Sequence, residues 1–331
     1  MLQMAAITPY SKLTPDKVLD AIDSIGLRTD GRLFALNSFE NRVYQVGLEE
    51  SSPIIAKFYR PERWSNAAII EEHAFTLELA NQEIPVVPPL IFQGDVTLHV
   101  HEGFRFAVFP RHGGRMPEFD RSETLEWMGR FIGRIHAIGA LHPFAHRPTL
   151  DIANFGENSR DYLLKGHWLP PDLLPAWSSV INQALESIRA CFKRAGQIKQ
   201  IRLHGDCHAG NVLWTDEGPH FVDFDDSRMG PAIQDLWMLL SGDRESMTRQ
   251  LSAVIAGYED FAEFDDRELN LVEALRTLRL IHHSAWLAQR WQDPAFPAAF
   301  PWFNTQHYWQ DRILELREQI ALMEEEPLRA S

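Results

Sequence analysis

Cysteine is nearly absent from this chain of 331 residues, with only Cys191 and Cys207 present. Two thiols make no disulfide framework, and such usage fits a reducing compartment. Long apolar runs are missing as well. No stretch approaches the roughly 18 residues that span a bilayer, and the opening MLQMAAITPYSKLTPDK lacks the apolar segment of a secretory signal. A cytoplasmic protein with no membrane partner is therefore expected. Net positive charge is the third absence, since the formal charge is −14. Phosphate binding needs a basic face, so nucleic acid is not expected as a partner. An anionic substrate such as a nucleotide would need metal or local cations to offset this charge. There is no internal repeat and no low-complexity segment. Apolar residues, in contrast, make up 45% of the chain, enough for a sizeable core. The length suggests about two domains of roughly 150 residues each.

Residues 15 to 26 read as a short helix, with Pro15 in the first turn, an apolar stripe at Val18, Leu19 and Ile22, and Gly26 as the stop. Two strands follow, over 42–48 and 53–59, joined by GLEESSP as a hairpin connection. Residues 65 to 82 have helical spacing, with Ser65 as N-cap, and the stretch IPVVPP ends that helix. Strands are expected around 97–100 and 104–109, then the punctuation PRHGGR at 110–115. The remainder is mostly helical, over 124–139, 172–195, 232–241, 246–263 and 268–292. The pattern is that of an α+β protein with a cleft where the two parts meet. The division falls at 110/111, giving a strand-rich lobe over 1–110 and a helical lobe over 111–331.

The densest chemistry is in residues 203–226, LHGDCHAGNVLWTDEGPHFVDFDD. His204-Gly205-Asp206 is followed five residues after the Asp by Asn211 and seventeen after it by Asp223. That spacing is similar to the H-R-D-x-x-x-x-N loop and the D-F-G metal site of kinases. An acceptor hydroxyl in phosphoryl transfer needs a carboxylate to orient it and take its proton, a role for Asp206. A magnesium ion between phosphates prefers hard oxygen ligands, which Asn211 and Asp223 supply. A hairpin turning at Gly218-Pro219-His220 would bring those two to one end of two strands. The competing reading is zinc on His204, Cys207 and His208, but no fourth ligand is evident and Gly205-Asp206 argues against a regular helix there. Asp225 and Asp226 have two open roles, beside the metal or where an acceptor approaches.

Upstream, Lys57 lies inside a strand and Glu71 and Glu72 lie in the next helix. Lys57 would hold the nucleotide α/β-phosphates and pair with one of the acids. Helical neighbours point about 100° apart, so only one Glu faces the lysine well, and Glu72 is the choice. The loop LNSFENRVY before the first strand is not G-x-G-x-x-G, but its polar turn formers, Ser38 among them, present N–H groups or a hydroxyl to phosphates.

The motifs LHGDCHAGNVLW, FVDFDD and QDLWMLL resemble the aminoglycoside phosphotransferase/choline kinase branch of the protein-kinase-like fold. LNSFENRVYQV, AKFYRPERW, EEHAF, FAVFP, RLHGDCHAGN, GPAIQDLWMLL and RWQDPAFPAAFPWF resemble the bacterial stress response kinase A family, across about residues 30 to 310. The resemblance implies a bilobal fold and an ATP- and Mg²⁺-dependent serine/threonine protein kinase of the cytoplasm. It further implies a part in envelope and oxidative stress, protection from stress-induced death, and autophosphorylation. A monomer acting on Ser/Thr of another protein is expected. By motif, Asp206 is the catalytic base, Asn211 and Asp223 are the magnesium ligands, and Ser38 takes a position of ATP contact. Asp235 matches an acid that buttresses the catalytic loop, and His204 is structural support. Two departures are the Gly-poor phosphate loop and HGD in place of HRD. The short connection FDDSRMGPAIQDLW leaves no room for a long activation segment, so a constitutively assembled cleft is expected.

On this reading adenine lies against Phe109–Gly114, where the lobes join. Two alternatives stay open. One is a small-molecule hydroxyl kinase on the same fold, its acceptor held near Asp225–Asp226 and the aromatic tail with Trp286, Trp291, Trp302 and Trp309. The other is a non-catalytic nucleotide-binding scaffold.

Overall fold

The structure is a computed structural model that describes residues 8–329. Residues 1–7, which open the segment read for a targeting signal, lie outside the described residues, as do 330 and 331. In chain order the elements are α1 (Pro15–Asp23), β1 (Thr29–Leu36), β2 (Arg42–Leu48), β3 (Ile54–Phe58), α2 (Asn66–Asn81), β4 (His99–His101), β5 (Phe104–Pro110) and α3 (Ser122–Gly139). There follow α4 (Asn158–Lys165), α5 (Leu174–Ala195), β6 (Ile201–Leu203), β7 (Val212–Thr215), β8 (Gly218–Phe221) and β9 (Arg228–Gly230). The chain closes with α6 (Ile233–Trp237), α7 (Arg244–Tyr258), α8 (Val272–Arg290), α9 (Ala295–Ala299) and α10 (Gln306–Glu324). The fold is α+β. It divides into two compact units, one holding the chain to Pro117 with Ala145–Arg147 and Ala209–Asp226, the other holding Glu118–Phe144, Pro148–His208 and the chain from Ser227 on.

The first unit is built on a five-stranded antiparallel sheet in the order β1-β2-β3-β5-β4. Packing drives one side of the inner strands toward the core. Val46, Ile54, Ala56, Phe58, Phe106 and Val108 form its core with Val18 and Ile22 of α1. Phe58 stacks on Phe106 at 5.2 Å between centroids. Thr14 caps α1 by accepting the Lys17 N–H at 3.4 Å, and Ser65 caps α2 by accepting the Ala68 N–H at 3.1 Å. Strand β1 is absent from the sequence reading. Most of its residues are exposed, it breaks register between Thr29 and Leu33, and Gly31 sits at φ +82°, so no inward/outward alternation survives to mark it.

The β7–β8 ribbon also belongs to this unit, and its turn differs from the expected one. Thr215 pairs with Gly218, so the chain reverses at Asp216-Glu217, and Gly218-Pro219-His220 runs within β8. The Thr215 hydroxyl accepts the Glu217 N–H at 3.2 Å and donates to the Gly218 carbonyl at 3.2 Å, a local turn that the Gly-Pro signal masked. Main-chain bonds from Val87 N–H to the Phe221 carbonyl (3.1 Å), Phe221 N–H to Pro85 (2.8 Å) and Trp214 N–H to Arg115 (2.7 Å) tie the ribbon to the rest of the unit.

The second unit is largely helical. Helices α3 and α7 approach closely because glycines line the contact. A Cβ on Gly129 would stand 2.0 Å from the Val254 carbonyl oxygen, and one on Gly257 2.0 Å from that of Glu126. The segment 268–292 is not one helix. Asp265 caps a 3₁₀ turn over Asp266–Leu271, and α8 starts only at Val272. Strands β6 and β9 pair antiparallel and set the loop that follows β6. Among the described residues no helix is long and apolar enough to cross a membrane.

Candidate active site

In the first unit, pairing with β2 and β5 fixes Lys57 opposite Val43 and Ala107. Its side chain is only 7% exposed, and its Nζ lies 2.8 Å from Asp223 Oδ1, 3.5 Å from Asp225 Oδ1 and 3.9 Å from Glu72 Oε1. Burial alone would lower its basicity, but Asp223, Asp225 and Glu72 more than reverse this and hold the ammonium well above its ordinary range. The cluster therefore carries a fixed cation at neutral pH.

The two glutamates divide their work. Glu72 is buried and faces Lys57, while its Oε2 accepts from Arg147 Nη2 at 2.9 Å. Glu71 faces elsewhere and accepts the N–H groups of Ala145 (2.6 Å), His146 (2.9 Å) and Arg147 (3.0 Å). Glu71 thus anchors the strap whose arginine holds Glu72. Arg147 also donates to the carbonyls of Asp225 (2.7 Å) and Ala68 (2.9 Å) and lies over the Trp64 ring at 4.7 Å. Burial pushes Glu72 up to about 7, against the pull of Lys57 and Arg147.

Asp225 and Asp226 are both bound by Arg63, through Nη1 to Asp225 and through Nη2 to Asp226 at 2.9 Å. Burial would raise Asp225, but Arg63 and Lys57 overcome it and keep the carboxyl below its ordinary value. Asp223, in contrast, is half exposed and sits at φ +60°, a strained conformation for this residue. Asn211 directly precedes β7, and its carbonyl accepts the Val222 N–H at 3.0 Å. Asn211 and Asp223 accordingly flank the open end of the β7–β8 ribbon. Two hard oxygen donors at such an end fit magnesium, which fills most of its shell with water and phosphate rather than protein. Ser38 is half-buried in the loop between β1 and β2 and, among the described residues, makes no hydrogen bond to this cluster.

In the second unit a buried acid organises the HGD loop. Asp235 on α6 accepts the His204 N–H (2.9 Å) and the Gly205 N–H (2.8 Å), and His136 Nε2 lies 3.0 Å from it. Gly205 is at φ +87°, a conformation glycine takes without strain. The Asp206 N–H donates to His204 Nδ1 at 3.3 Å. The Asp206 side chain is 21% exposed and lies beside two basic residues. Its Oδ1 lies 2.5 Å from Arg279 Nη1 on α8 and its Oδ2 3.4 Å from His208 Nε2. His204, Cys207 and His208 have separate environments. His204 serves the loop, burial pushes the Cys207 thiol well up, and His208 is half exposed beside Asp206. Of the tail aromatics, Trp309 is buried against Trp177, while Trp302 is 46% exposed.

The sequence reading missed Arg63, Arg147, His136 and Arg279. Each acts on a residue 73 or more positions away in the chain, so no local periodicity marks it. One weak signal was available. Arg147 precedes a proline, which biases the residue to extended backbone suited to a strap.

The family model described as "Phosphotransferase enzyme family" matches residues 34–272. The chain is 44% identical over 320 residues to stress response kinase A of Escherichia coli strain K12, covering 97% of this chain and 96% of that protein. It is equally similar, at 44% over the same span, to a protein of Salmonella typhimurium named serine/threonine protein kinase RdoA. Among solved structures it is similar to amicoumacin kinase hAmiN in complex with AMP-PNP, Ca²⁺ and Ami (TM-score 0.73, 18% identity, 95% of each chain). A microcompartment-associated aminopropanol kinase is also similar (TM-score 0.70, 16% identity, 95% of this chain and 99% of that one).

Proposed function

This chain belongs to the phosphotransferase enzyme family and, within it, to the stress response kinase A family, and from that premise we propose that it is a serine/threonine protein kinase using ATP and Mg²⁺. The observation that carries the reading is the buried Lys57 with Glu72, Asp223 and Asp225 around its ammonium. A lysine so held is a point charge ready for phosphate oxygens, and Asp223 is the partner it exchanges when a nucleotide arrives. Adenine lies against Phe109–Gly114, and Ser38 in the loop before β2 contacts the phosphates. A magnesium ion, held by Asn211 and Asp223, would neutralise charge on the phosphates.

Asp206 orients the acceptor hydroxyl and takes its proton. The acceptor oxygen forms a new bond to the γ-phosphorus as the bond from that phosphorus to the β,γ-bridging oxygen breaks. ADP leaves with the electron pair. Asp235 and His204 hold the backbone of the loop that carries Asp206, which lowers the positioning entropy left in the barrier. The names of the relatives at 44% identity support protein Ser/Thr as acceptor and a role in the stress response. The reading includes autophosphorylation and a cytoplasmic location.

The test is incubation with ATP and Mg²⁺, alone and with generic protein acceptors or a panel of amino alcohols and aminoglycosides, read by intact mass. Phosphoryl transfer to protein supports the proposal. Transfer only to small hydroxyl compounds replaces it with the small-molecule reading. ATP binding with no transfer to any acceptor replaces it with a non-catalytic scaffold.

A further inference from the structure

The acids that follow Asp223 do not offer a free negative surface for a cationic acceptor, because Arg63 bridges Asp225 and Asp226. The charge beside Asp206 has the opposite sign. Arg279 is 45% exposed and its guanidinium lies on Asp206 Oδ1 at 2.5 Å. Arg279 begins a row on α8, since residues at i, i+4, i+7 and i+11 share one helix face. The row reads Arg279, His283, Trp286, Arg290. His283 stacks on Trp286 with centroids 5.6 Å apart and planes 20° apart, and the Arg290 guanidinium lies 5.4 Å from the Trp286 ring. Burial, then the cations Arg279 and Arg312, pull His283 down to about 4, so its ring is neutral and serves as an aromatic wall. A chain of formal charge −14 thus places Arg279 and Arg290 at the two ends of a row that starts at its proposed acceptor base, with the Trp286 ring between them packed by His283, Phe296 and Phe300.

We propose that this face of α8 is the acceptor-binding surface and that it selects an acidic peptide segment, with Arg279 as a specificity-determining residue. The inference rests on Asp206 as the acceptor base. In the free protein Asp206 is the anion that Arg279 holds. An acidic side chain next to the acceptor Ser or Thr takes over the guanidinium and frees the Asp206 oxygen for the hydroxyl. Arg279 and Arg290 are separated by about 16 Å along the helix, from eleven residues at 1.5 Å rise. An extended peptide covers that distance in about five residues. The preferred acceptor therefore carries one acid adjacent to its hydroxyl residue and a second about five positions away.

Fluorescein-labelled peptides with one central Ser test this. One peptide has Glu at the adjacent and the fifth positions, and a second has Lys at both. They are titrated by anisotropy into the full chain as wild type, Arg279→Glu, Arg290→Glu and Arg279→Lys. Wild type is expected to bind the Glu peptide about tenfold more tightly than the Lys peptide, the size of a single close charge pair at a partly solvated surface. Arg279→Glu reverses the order and Arg279→Lys keeps it, whereas a purely structural Arg279 would leave the order unchanged. Arg290→Glu weakens the Glu peptide and, should Arg279→Glu not fold, carries the same test. Equal affinities in wild type, or a preference that survives charge reversal in a folded variant, overturn the inference. Transfer of phosphate from labelled ATP to the same peptides is read separately. Charge-selective binding with no transfer to these peptides leaves α8 a binding surface for acidic peptides and overturns its assignment to the acceptor, and transfer without charge selection overturns this inference while the kinase reading stands.

Discussion

Replacing Arg147 with Met removes one side chain from the centre of the Lys57 cluster. The guanidinium is fully buried and donates to Glu72 Oε2 at 2.9 Å, to the Asp225 carbonyl at 2.7 Å and to the Ala68 carbonyl at 2.9 Å. Met fills much of the volume but none of the hydrogen bonds, so among the described residues the cation that remains beside Glu72 is Lys57, at 3.9 Å. Breaking a buried ion pair from one side costs about 3–5 kcal/mol. At about 2.1 cal/mol/K of unfolding entropy per residue, a chain of 331 residues shifts by roughly 1.4 °C per kcal/mol, so this lowers the melting temperature by about 4–7 °C. The pH dependence gives a second, independent reading. Glu72 stands at about 7 in the folded chain against an ordinary 4.5. The folded state therefore binds the extra proton, and its stability falls as pH rises from 4.5 through 7. Losing Arg147 raises Glu72 further, so in the variant the fall continues above pH 7. The assay is thermal unfolding by far-UV circular dichroism from pH 5 to 8.5. The double variant Arg147→Met/Glu72→Gln should recover part of the loss, because no buried carboxylate is then left short of a cation. A melting temperature within about 2 °C of wild type, with the same pH slope, would refute the account of the strap.

Gly257→Ala places its Cβ 2.0 Å from the Glu126 carbonyl oxygen in the α3–α7 contact. Backbone cannot yield as a side chain can, so a loss of about 3 kcal/mol is expected by denaturant unfolding, against less than about 0.5 kcal/mol for Gly113→Ala, where the space is open. Glu268 accepts the Ile233 N–H at 2.8 Å and so caps the helix that carries Asp235, while burial pushes its own carboxyl up to about 7. Its raised value makes stability fall between pH 4.5 and 7, so Glu268→Gln, which keeps an acceptor and removes the charge, should flatten that part of the melting profile.

What could be read ahead of the structure was local. The Lys57 strand, the helix capped by Ser65 and the spacing of Asp206, Asn211 and Asp223 each lie within one short window, where periodicity and turn chemistry act. The choice between Glu71 and Glu72 was a matter of helical phase and is visible in the geometry, with Glu72 toward Lys57 and Glu71 on the 145–147 strap. The two roles left open for Asp225 and Asp226 were undecidable in sequence, because Arg63 reaches them across about 160 residues of chain. The same holds for Arg279 on Asp206. Strand β1 was hidden by exposure and a bulge, and the β7–β8 turn by a Gly-Pro pair that belongs to a strand. Long-range ion pairs leave no periodic trace, so the arginines of the site were the part that only the structure supplied.

The central claim is that Asp206 and Asp223 serve one phosphoryl transfer. Its most direct test is intact-mass detection of phosphate on protein after incubation with ATP and Mg²⁺, using wild type, Asp206→Ala and Asp223→Ala of unchanged circular dichroism. Wild type should gain phosphoryl groups or pass them to a protein acceptor, and each variant should be slower by about 10²- to 10⁴-fold, the usual loss of a general base or of a comparably placed charge. Transfer at the wild-type rate by folded Asp206→Ala or Asp223→Ala protein would contradict the account.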